Sequence, residues 1–208
     1  MTDATRRPLN SRDTRWARAL ATRLGASRIT PNQISQASFG FAALGLLFFW
    51  AASATVGIAQ ALALILAAAT MQLRLLCNLL DGMVAIEGGK SAPTGPFWNE
   101  APDRAADTLF LAGAGLAAGQ PALGLAAAAF AIATAYIREL GRAEGFPADF
   151  SGPMAKPHRM AALTIGALIA AVHATDWTLT VTLWIIALGT VATILRRAIR
   201  LLNALQAR

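Results

Sequence analysis

The strongest constraint on the fold is a series of long apolar segments that are separated by short polar connections. A helix needs about 20 apolar residues to cross a bilayer, and runs of alanine, leucine and glycine repeatedly approach that length. The chain is 56% hydrophobic and only 14% charged, which is less charge than soluble domains carry. The sequence therefore predicts an all-α polytopic membrane protein with six transmembrane helices, at residues 33–54, 57–80, 105–119, 121–138, 160–174 and 179–195.

Three of these spans are expected to extend beyond their apolar part. The second continues past Asp81, the third begins near Pro96 with a polar first turn, and the fourth reaches about Arg142. Ahead of the first span, basic and apolar residues alternate over 13–27 and predict an amphipathic helix on the membrane surface. We expect no cleavable signal peptide, and Cys77, as a single cysteine, excludes an intramolecular disulfide.

The basic residues predict the orientation in the membrane. All eighteen Lys and Arg fall in or next to the N-terminus, the second-to-third and fourth-to-fifth connections, and the C-terminus. Since basic loops stay in the cytoplasm, both termini are expected inside, in the inner membrane if the source is bacterial. The net charge of +7 then favours anionic lipid headgroups over nucleic acid as the partner. The expected organisation is one membrane domain over residues 1–208, with a basic interfacial part at 1–30 and the six-helix part at 31–208.

Acid and amide side chains gather at the facing ends of the second and third spans. At 100° per residue, the two helices each present a polar face. These faces comprise Arg74, Asn78 and Asp81 on the second span and Asn99, Asp103 and Asp107 on the third, with Glu100 at the edge. Ionisable groups at this depth are costly and mark a functional site, and such oxygens suit Mg²⁺ together with substrate phosphates.

Two other interpretations of the acids stay open. The acids can form interfacial ion pairs with Arg74, Lys90 and Arg104, without any chemistry. Alternatively, they can serve as a relay in a small ion or metabolite transporter, although the first, fifth and sixth spans contain few polar groups.

The segment 78–107 resembles the signature of the CDP-alcohol phosphotransferases, D-x-x-D-G-x-x-A-R, eight residues, G, three residues, D, three residues, D. Asp81-Gly82, Ala85, Gly95 and Asp103 stand at the spacing of that motif. Thr30-Pro31-Asn32-Gln33-Ile34-Ser35 is similar to the T-P-N-x-I-[ST] opening before the family's first span. Six spans with both termini inside also match the family. The resemblance implies transfer of a substituted phosphate from a CDP-alcohol to an acceptor alcohol, with release of CMP, in phospholipid synthesis.

The resemblance also implies roles for individual residues. Asp81 and Asp103 would bind Mg²⁺ or Mn²⁺, and Asp103 would be the general base. Asn78 and Asn99 replace two family aspartates and offer only neutral oxygens, while Ile86 replaces the family arginine.

The substrate-binding residues follow from the same resemblance. The donor, CDP-diacylglycerol or another CDP-alcohol, would contact Gly82, Ala85, Gly95 and Asn32. A phosphorylated acceptor would contact basic residues near the fourth-to-fifth connection. These are Arg138, Arg142, Lys156 and Arg159, whose alternative role is to set topology and contact headgroups.

The two asparagines leave three outcomes open. The site holds one metal, or it holds two with Glu100 and Asp107 (or Glu87) added as ligands, or the chain keeps the fold and has lost the activity. In the last case it would bind a CDP-lipid or a partner protein. Family members are often dimers, so a homodimer is also an expectation.

Overall fold

A computed structural model describes residues 14–173 and 177–208, and over these ranges the chain forms seven helices and no strand. The helices are α1 (Arg15–Ala26), α2 (Pro31–Ser53), α3 (Ile58–Ile86), α4 (Gly95–Ala117), α5 (Pro121–Ala143), α6 (Lys156–His173) and α7 (Thr178–Gln206). The all-α class is therefore confirmed. The basic segment 1–13 and the end of the fifth predicted span, at residue 174, lie outside the described residues.

Membrane-spanning character is clear for four of the helices. In the described part of the chain, α2, α3, α5 and α7 are long and apolar enough to cross a bilayer. Helices α4 and α6 stand where the third and fifth spans were expected, but α4 has Glu100, Asp103 and Arg104 in its second and third turns, and α6 has Lys156 and Arg159 in its first turn. The chain is thus an all-helical protein with four apolar candidate spans, and the count of six stays a prediction.

The start of α2 is fixed by a reciprocal pair of hydrogen bonds. The Thr30 hydroxyl accepts from the Gln33 N–H at 3.3 Å, and the Gln33 side chain accepts from the Thr30 N–H at 2.9 Å. Such a capping box satisfies two N–H groups that a helix end would otherwise leave unpaired, and Pro31 suits the first helical position. The helix start positions Ser35, one turn later, against α3.

Small residues let the long helices pack closely around an apolar core. Helix α2 packs against α3 and α4, α4 against α5, α3 against α6, and α7 against α5 and α6. Near the end of the bundle away from the polar cluster, Gly115 of α4 meets Gly124 of α5. A Cβ added to Gly115 would lie 2.9 Å from the Gly124 Cα. The two backbones touch there, and no side chain fits between them.

Helix α1 lies against α3 through Ala17 and Ala21, which are buried in a second, smaller apolar cluster. A lysine in the connection between α3 and α4 binds the C-terminal end of α1. The Lys90 ammonium donates to the carbonyl oxygens of Leu24, Ser27 and Ile29 at 3.5, 2.5 and 3.1 Å. Of the segment predicted at 13–27, Arg15–Ala26 does form a helix, and its position on a membrane surface stays a prediction.

Candidate active site

The polar cluster forms where the last turns of α3 meet the first turns of α4, with the starts of α2 and α6 beside them. Its buried charged residues come from three helices: Arg74 and Asp81, Asp103 and Asp107, and Arg159. A buried charge is tolerated only when it is paired or hydrogen-bonded. The hydrogen-bond and ion-pair partners of each carboxylate therefore show which of its oxygens are already engaged within the protein.

Asp107 belongs to a closed group of ion pairs, here named the arginine cluster (Arg74, Asp107 and Arg159). Its two carboxylate oxygens lie 3.4 Å from the Arg74 Nη2 and 2.9 Å from the Arg159 Nη2. All three residues are at most 2% exposed. Arg159 also donates to the Met154 carbonyl at 3.0 Å. The Asp107 carboxylate is thus fully engaged in holding α3, α4 and α6 together.

Asp81 lies in a different environment, here named the serine cluster (Ser35, Ser38, Asn78 and Asp81). Its Oδ2 accepts from the Ser35 hydroxyl at 2.7 Å, and the Asn78 carbonyl accepts from the Ser38 hydroxyl at 2.9 Å. The Asp81 Oδ1 is buried and has no hydrogen-bond partner among the described residues. An ionised carboxylate can accept several bonds, so this oxygen is available to a cation.

Asp103 lies between the two clusters and has both oxygens occupied. Its Oδ1 accepts from the Arg74 Nη2 at 2.8 Å and from the Asn78 amide at 2.6 Å. Its Oδ2 accepts from the Lys156 ammonium, and the Arg104 Nη2 lies 3.6 Å away. The structure therefore brings Asp103 and Asn78 into direct contact, as the two polar faces predicted, with Asp81 in the same cluster.

The remaining acid and amide of the predicted ligand set lie at the margin. The Glu100 carboxylate is 2.6 Å from the Arg138 Nη2 on α5 and 3.8 Å from the Arg104 Nη2. Asn99 is exposed in the second turn of α4. Pro102, two residues after Glu100, cannot donate the helical N–H bond to the Trp98 carbonyl. The roles of Asn99, Glu100 and Asp107 as metal ligands stay predictions.

Two of the proposed donor-binding residues, Gly82 and Gly95, have open space beside their backbones. A Cβ on Gly82 or on Gly95 would meet no atom within 4 Å in the described structure, so a ligand can approach both backbones. Ala85 is half-buried on the same helix as Gly82. The Asn32 amide donates to the Thr94 hydroxyl at 3.0 Å, which joins the start of α2 to the residue before α4.

The four basic residues proposed for the acceptor do not form one group. Arg159 is buried in the arginine cluster and Lys156 contacts Asp103. Arg138 pairs with Glu100 and Glu139, and Arg142 lies 2.8 Å from Glu139. Of this set, Arg142 has the most exposed side chain, at 38%.

The donor set fits one divalent cation better than two. In the ranges 14–173 and 177–208, no group of three or more His, Cys, Asp or Glu side chains is placed to hold a metal. Asp81 has an unpartnered oxygen, Asp103 adjoins the serine cluster through Asn78, and the Asn78 carbonyl adds a neutral oxygen. Hard cations take such oxygens and complete their coordination with water and phosphate. Two carboxylates balance the charge of one Mg²⁺ or Mn²⁺.

Sequence reasoning assigned no role to Ser35 and Ser38, and it offered Arg74 as an ion-pair partner of the acids without assigning it to a particular acid. Ser35 was visible as the last residue of the T-P-N-Q-I-S segment. Ser38 follows one turn later and lies on the same side of α2. Lys90, considered as an ion-pair partner of the acids, instead binds the end of α1.

Similarity to known proteins confirms the resemblance to the CDP-alcohol phosphotransferases that was drawn from the motif. The curated relative is a bifunctional IPC transferase and DIPP synthase of Rubrobacter xylanophilus. It is 34% identical over 152 residues, which cover 69% of this chain and 32% of the relative. The chain thus spans about a third of the length of the curated relative that it matches. No protein-family model matches the chain.

Two solved structures of the phosphatidylinositol phosphate synthase of Mycobacterium tuberculosis share the fold. The structure with CDP-DAG bound has a TM-score of 0.74 at 20% identity and covers 90% of this chain and 94% of its own. The structure in complex with manganese and citrate has a TM-score of 0.73 at 19% identity and covers 89% and 88%. At such identity, the likeness establishes the fold.

Proposed function

We propose that the protein is an integral membrane CDP-alcohol phosphotransferase that moves a phosphatidyl or other substituted phosphate group to an acceptor alcohol and releases CMP. The observation that carries this proposal is the unpartnered oxygen of Asp81 in the same buried cluster as Asp103. The shared fold supports it, since one neighbour binds CDP-DAG and one binds manganese. CDP-diacylglycerol is the proposed donor, and Mg²⁺ or Mn²⁺ is the proposed cofactor.

The residues of this chain would have separate roles in donor binding, proton transfer and metal binding. The backbones at Gly82 and Gly95 would admit the donor diphosphate, since neither position has an atom where a Cβ would stand. The acceptor oxygen attacks the β-phosphorus, the bond to the CMP oxygen breaks, and the acceptor proton passes to Asp103. Asp81, Asp103 and Asn78 would hold one divalent cation. When bound, that cation neutralises charge on the diphosphate and orients the leaving group.

The polar end of the bundle would face the cytoplasm. The basic residues of the connections before α4 and α6 lie at this end, as the positive-inside rule requires. The proposal also includes six spans, both termini inside, a single membrane domain over residues 1–208 and a homodimer. The acyl chains of the donor would stay in the lipid. Reporter fusions at residue 208 and in the α4–α5 connection test the orientation; a C-terminus that reports outside contradicts it.

The direct test is CMP release from CDP-diacylglycerol by the purified protein with Mg²⁺ or Mn²⁺. Glycerol phosphate, inositol phosphate, serine and simple alcohols are supplied separately as acceptors. We expect release with at least one acceptor and its loss in Asp103→Asn. The control is Arg200→Gln, which removes a charge from an exposed ion pair with Asp149. No release with any acceptor, together with no binding of CDP, would contradict the proposal.

A second candidate, a non-catalytic binder of CDP-lipid, is favoured by one observation. Both oxygens of Asp103 are already engaged by Arg74, Asn78 and Lys156. Under this alternative, changing Asn78 and Asn99 to Asp and Ile86 to Arg would create CMP release where the unaltered chain has none. Release by the unaltered chain excludes it.

A further inference from the structure

The Lys156 ammonium holds one oxygen of the carboxylate that the proposed cation needs. It donates to the Asp103 Oδ2, at the first residue of α6 and directly after the connection from α5. It also lies within electrostatic range of Asp81 and Asp107. The Lys156 ammonium thus lies close to all three acids of the polar cluster.

Two cations hydrogen-bond the Asp103 carboxylate, and Arg74 is held more firmly than Lys156. Arg74 is fully buried, and it also contacts Asp107 at 3.4 Å and the Asp103 carbonyl oxygen at 3.4 Å. Arg104 lies farther from Asp103, at 3.6 Å, and shares its guanidinium with Glu100. Lys156 ends a flexible four-carbon stem whose side chain is 16% exposed. It is therefore the cation that can leave Asp103 without breaking the packing of α3 against α4.

An ammonium and a divalent cation cannot share the Asp103 Oδ2 at low cost. Charges of the same sign a few ångströms apart repel strongly where water is scarce. The free oxygen of Asp81 supplies a second point of attachment for the cation and none for Lys156 in the described structure. Binding of the cation therefore requires the ammonium to move, and the displaced ammonium needs a new anionic partner.

We propose that Lys156 is a positioning residue that couples metal binding to diphosphate binding. In the absence of substrate its ammonium competes with the divalent cation for Asp103. When a nucleoside diphosphate is present, the phosphates give the displaced ammonium a partner, so the two ligands bind with positive cooperativity. The inference rests on the proposed function for the identity of both ligands. The inference adds to that function that the substrate-free site binds the divalent metal weakly, because Lys156 already holds Asp103.

The experiment measures the Kd of Mn²⁺ for the purified full chain, with and without CDP, by titration calorimetry. Lys156→Gln should tighten binding of Mn²⁺ alone about tenfold, within the range of known coupled sites. In the same variant, CDP should tighten Mn²⁺ binding less than it does in the wild type. Lys156→Arg keeps the charge and should stay close to the wild type. Arg200→Gln removes a charge from outside the cluster and should change neither quantity.

The outcomes separate this inference from the proposed function. A Lys156→Gln chain that binds Mn²⁺ alone no more tightly than the wild type overturns the inference, as does an undiminished effect of CDP. Either result leaves the proposed function standing if the wild type releases CMP. A wild type that binds no Mn²⁺, with or without CDP, overturns the inference. The proposed function falls with it only if CMP release is also absent. Thermal unfolding of each variant verifies that the fold is kept.

Discussion

The arginine cluster and the serine cluster place the same side chain, a buried aspartate, in opposite circumstances. Asp107 gives both oxygens to arginines from α3 and α6, whereas Asp81 gives one oxygen to a serine and leaves the other without a partner in the described chain. A saturated carboxylate holds helices together, while an unsaturated one can bind a ligand. The number of acids in the motif therefore says less about the site than the donors around each acid.

The largest effect that would test this contrast is the loss of the fold in Asp107→Asn. Removal of the carboxylate leaves Arg74 and Arg159 buried without their shared counter-charge. Breaking a buried ion pair in this way costs about 3–5 kcal/mol. We expect a large fall in the thermal unfolding temperature in detergent and a low yield of folded protein. A variant as stable as the wild type would show that Asp107 is not a structural residue.

The matched change in the serine cluster, Asp81→Asn, should leave the fold intact and damage the chemistry. The amide oxygen can still accept from Ser35, and no buried cation loses its partner among the described residues. We expect stability within about 1 kcal/mol of the wild type, and Mn²⁺ binding and CMP release each weaker by about 100-fold or more. Unfolding curves and Mn²⁺ titrations measure both. Unchanged Mn²⁺ affinity would remove Asp81 from the ligand set.

Asn78→Asp sharpens the contrast by adding an acid to the site. In the unaltered chain the Asn78 amide donates to the Asp103 Oδ1 at 2.6 Å. A carboxylate at position 78 would repel the Asp103 carboxylate instead. Without metal the variant should be less stable by about 1–3 kcal/mol, since a buried hydrogen bond to a charged group is lost. Mn²⁺ should then bind about tenfold more tightly and restore stability through linkage. Asn203→Asp, at an exposed position on α7, serves as the control. Destabilisation that Mn²⁺ does not relieve would contradict a metal position at residue 78.

The smallest effect is expected at Arg142, outside both clusters. Its ion pair with Glu139 is partly exposed, and such pairs contribute about 0–1 kcal/mol. Arg142→Gln should therefore leave unfolding unchanged. If Arg142 meets the acceptor phosphate, KM for a phosphorylated acceptor should rise about threefold to fivefold with kcat preserved. Arg142→Lys should retain most of the affinity. An unchanged KM would assign Arg142 to topology alone.

Helix positions were predictable because apolar run length and helix-stop residues are local properties. The expected segments 33–54 and 121–138, with the extension to Arg142, correspond to α2 and α5. The last helix was expected to end at residue 195 and runs to Gln206. Its basic residues ended the apolar run, but good helix formers continue the helix past the expected membrane boundary.

Partner choice within the cluster was less predictable from sequence. A helical wheel orders side chains around one helix, and it does not give the rotation of that helix against its neighbours. Glu100 lay at the edge of the polar arc, and its contact with Arg138 depends on how α5 packs. Arg74 was on the right face, yet its bridge between Asp103 and Asp107 appears only when α4 is placed beside α3.

The contact between Gly115 and Gly124 is a point about which α4 can tilt against α5. Asp103 lies twelve residues along α4 from Gly115, about 18 Å at 1.5 Å per residue, so a tilt of about 5° at the glycines would swing the carboxylate by about 1.6 Å. That arc is comparable to the misplacement that can cost a reaction about 100-fold. A single methyl group added at Gly115 or Gly124 would thus displace the Asp103 carboxylate without touching any reacting atom.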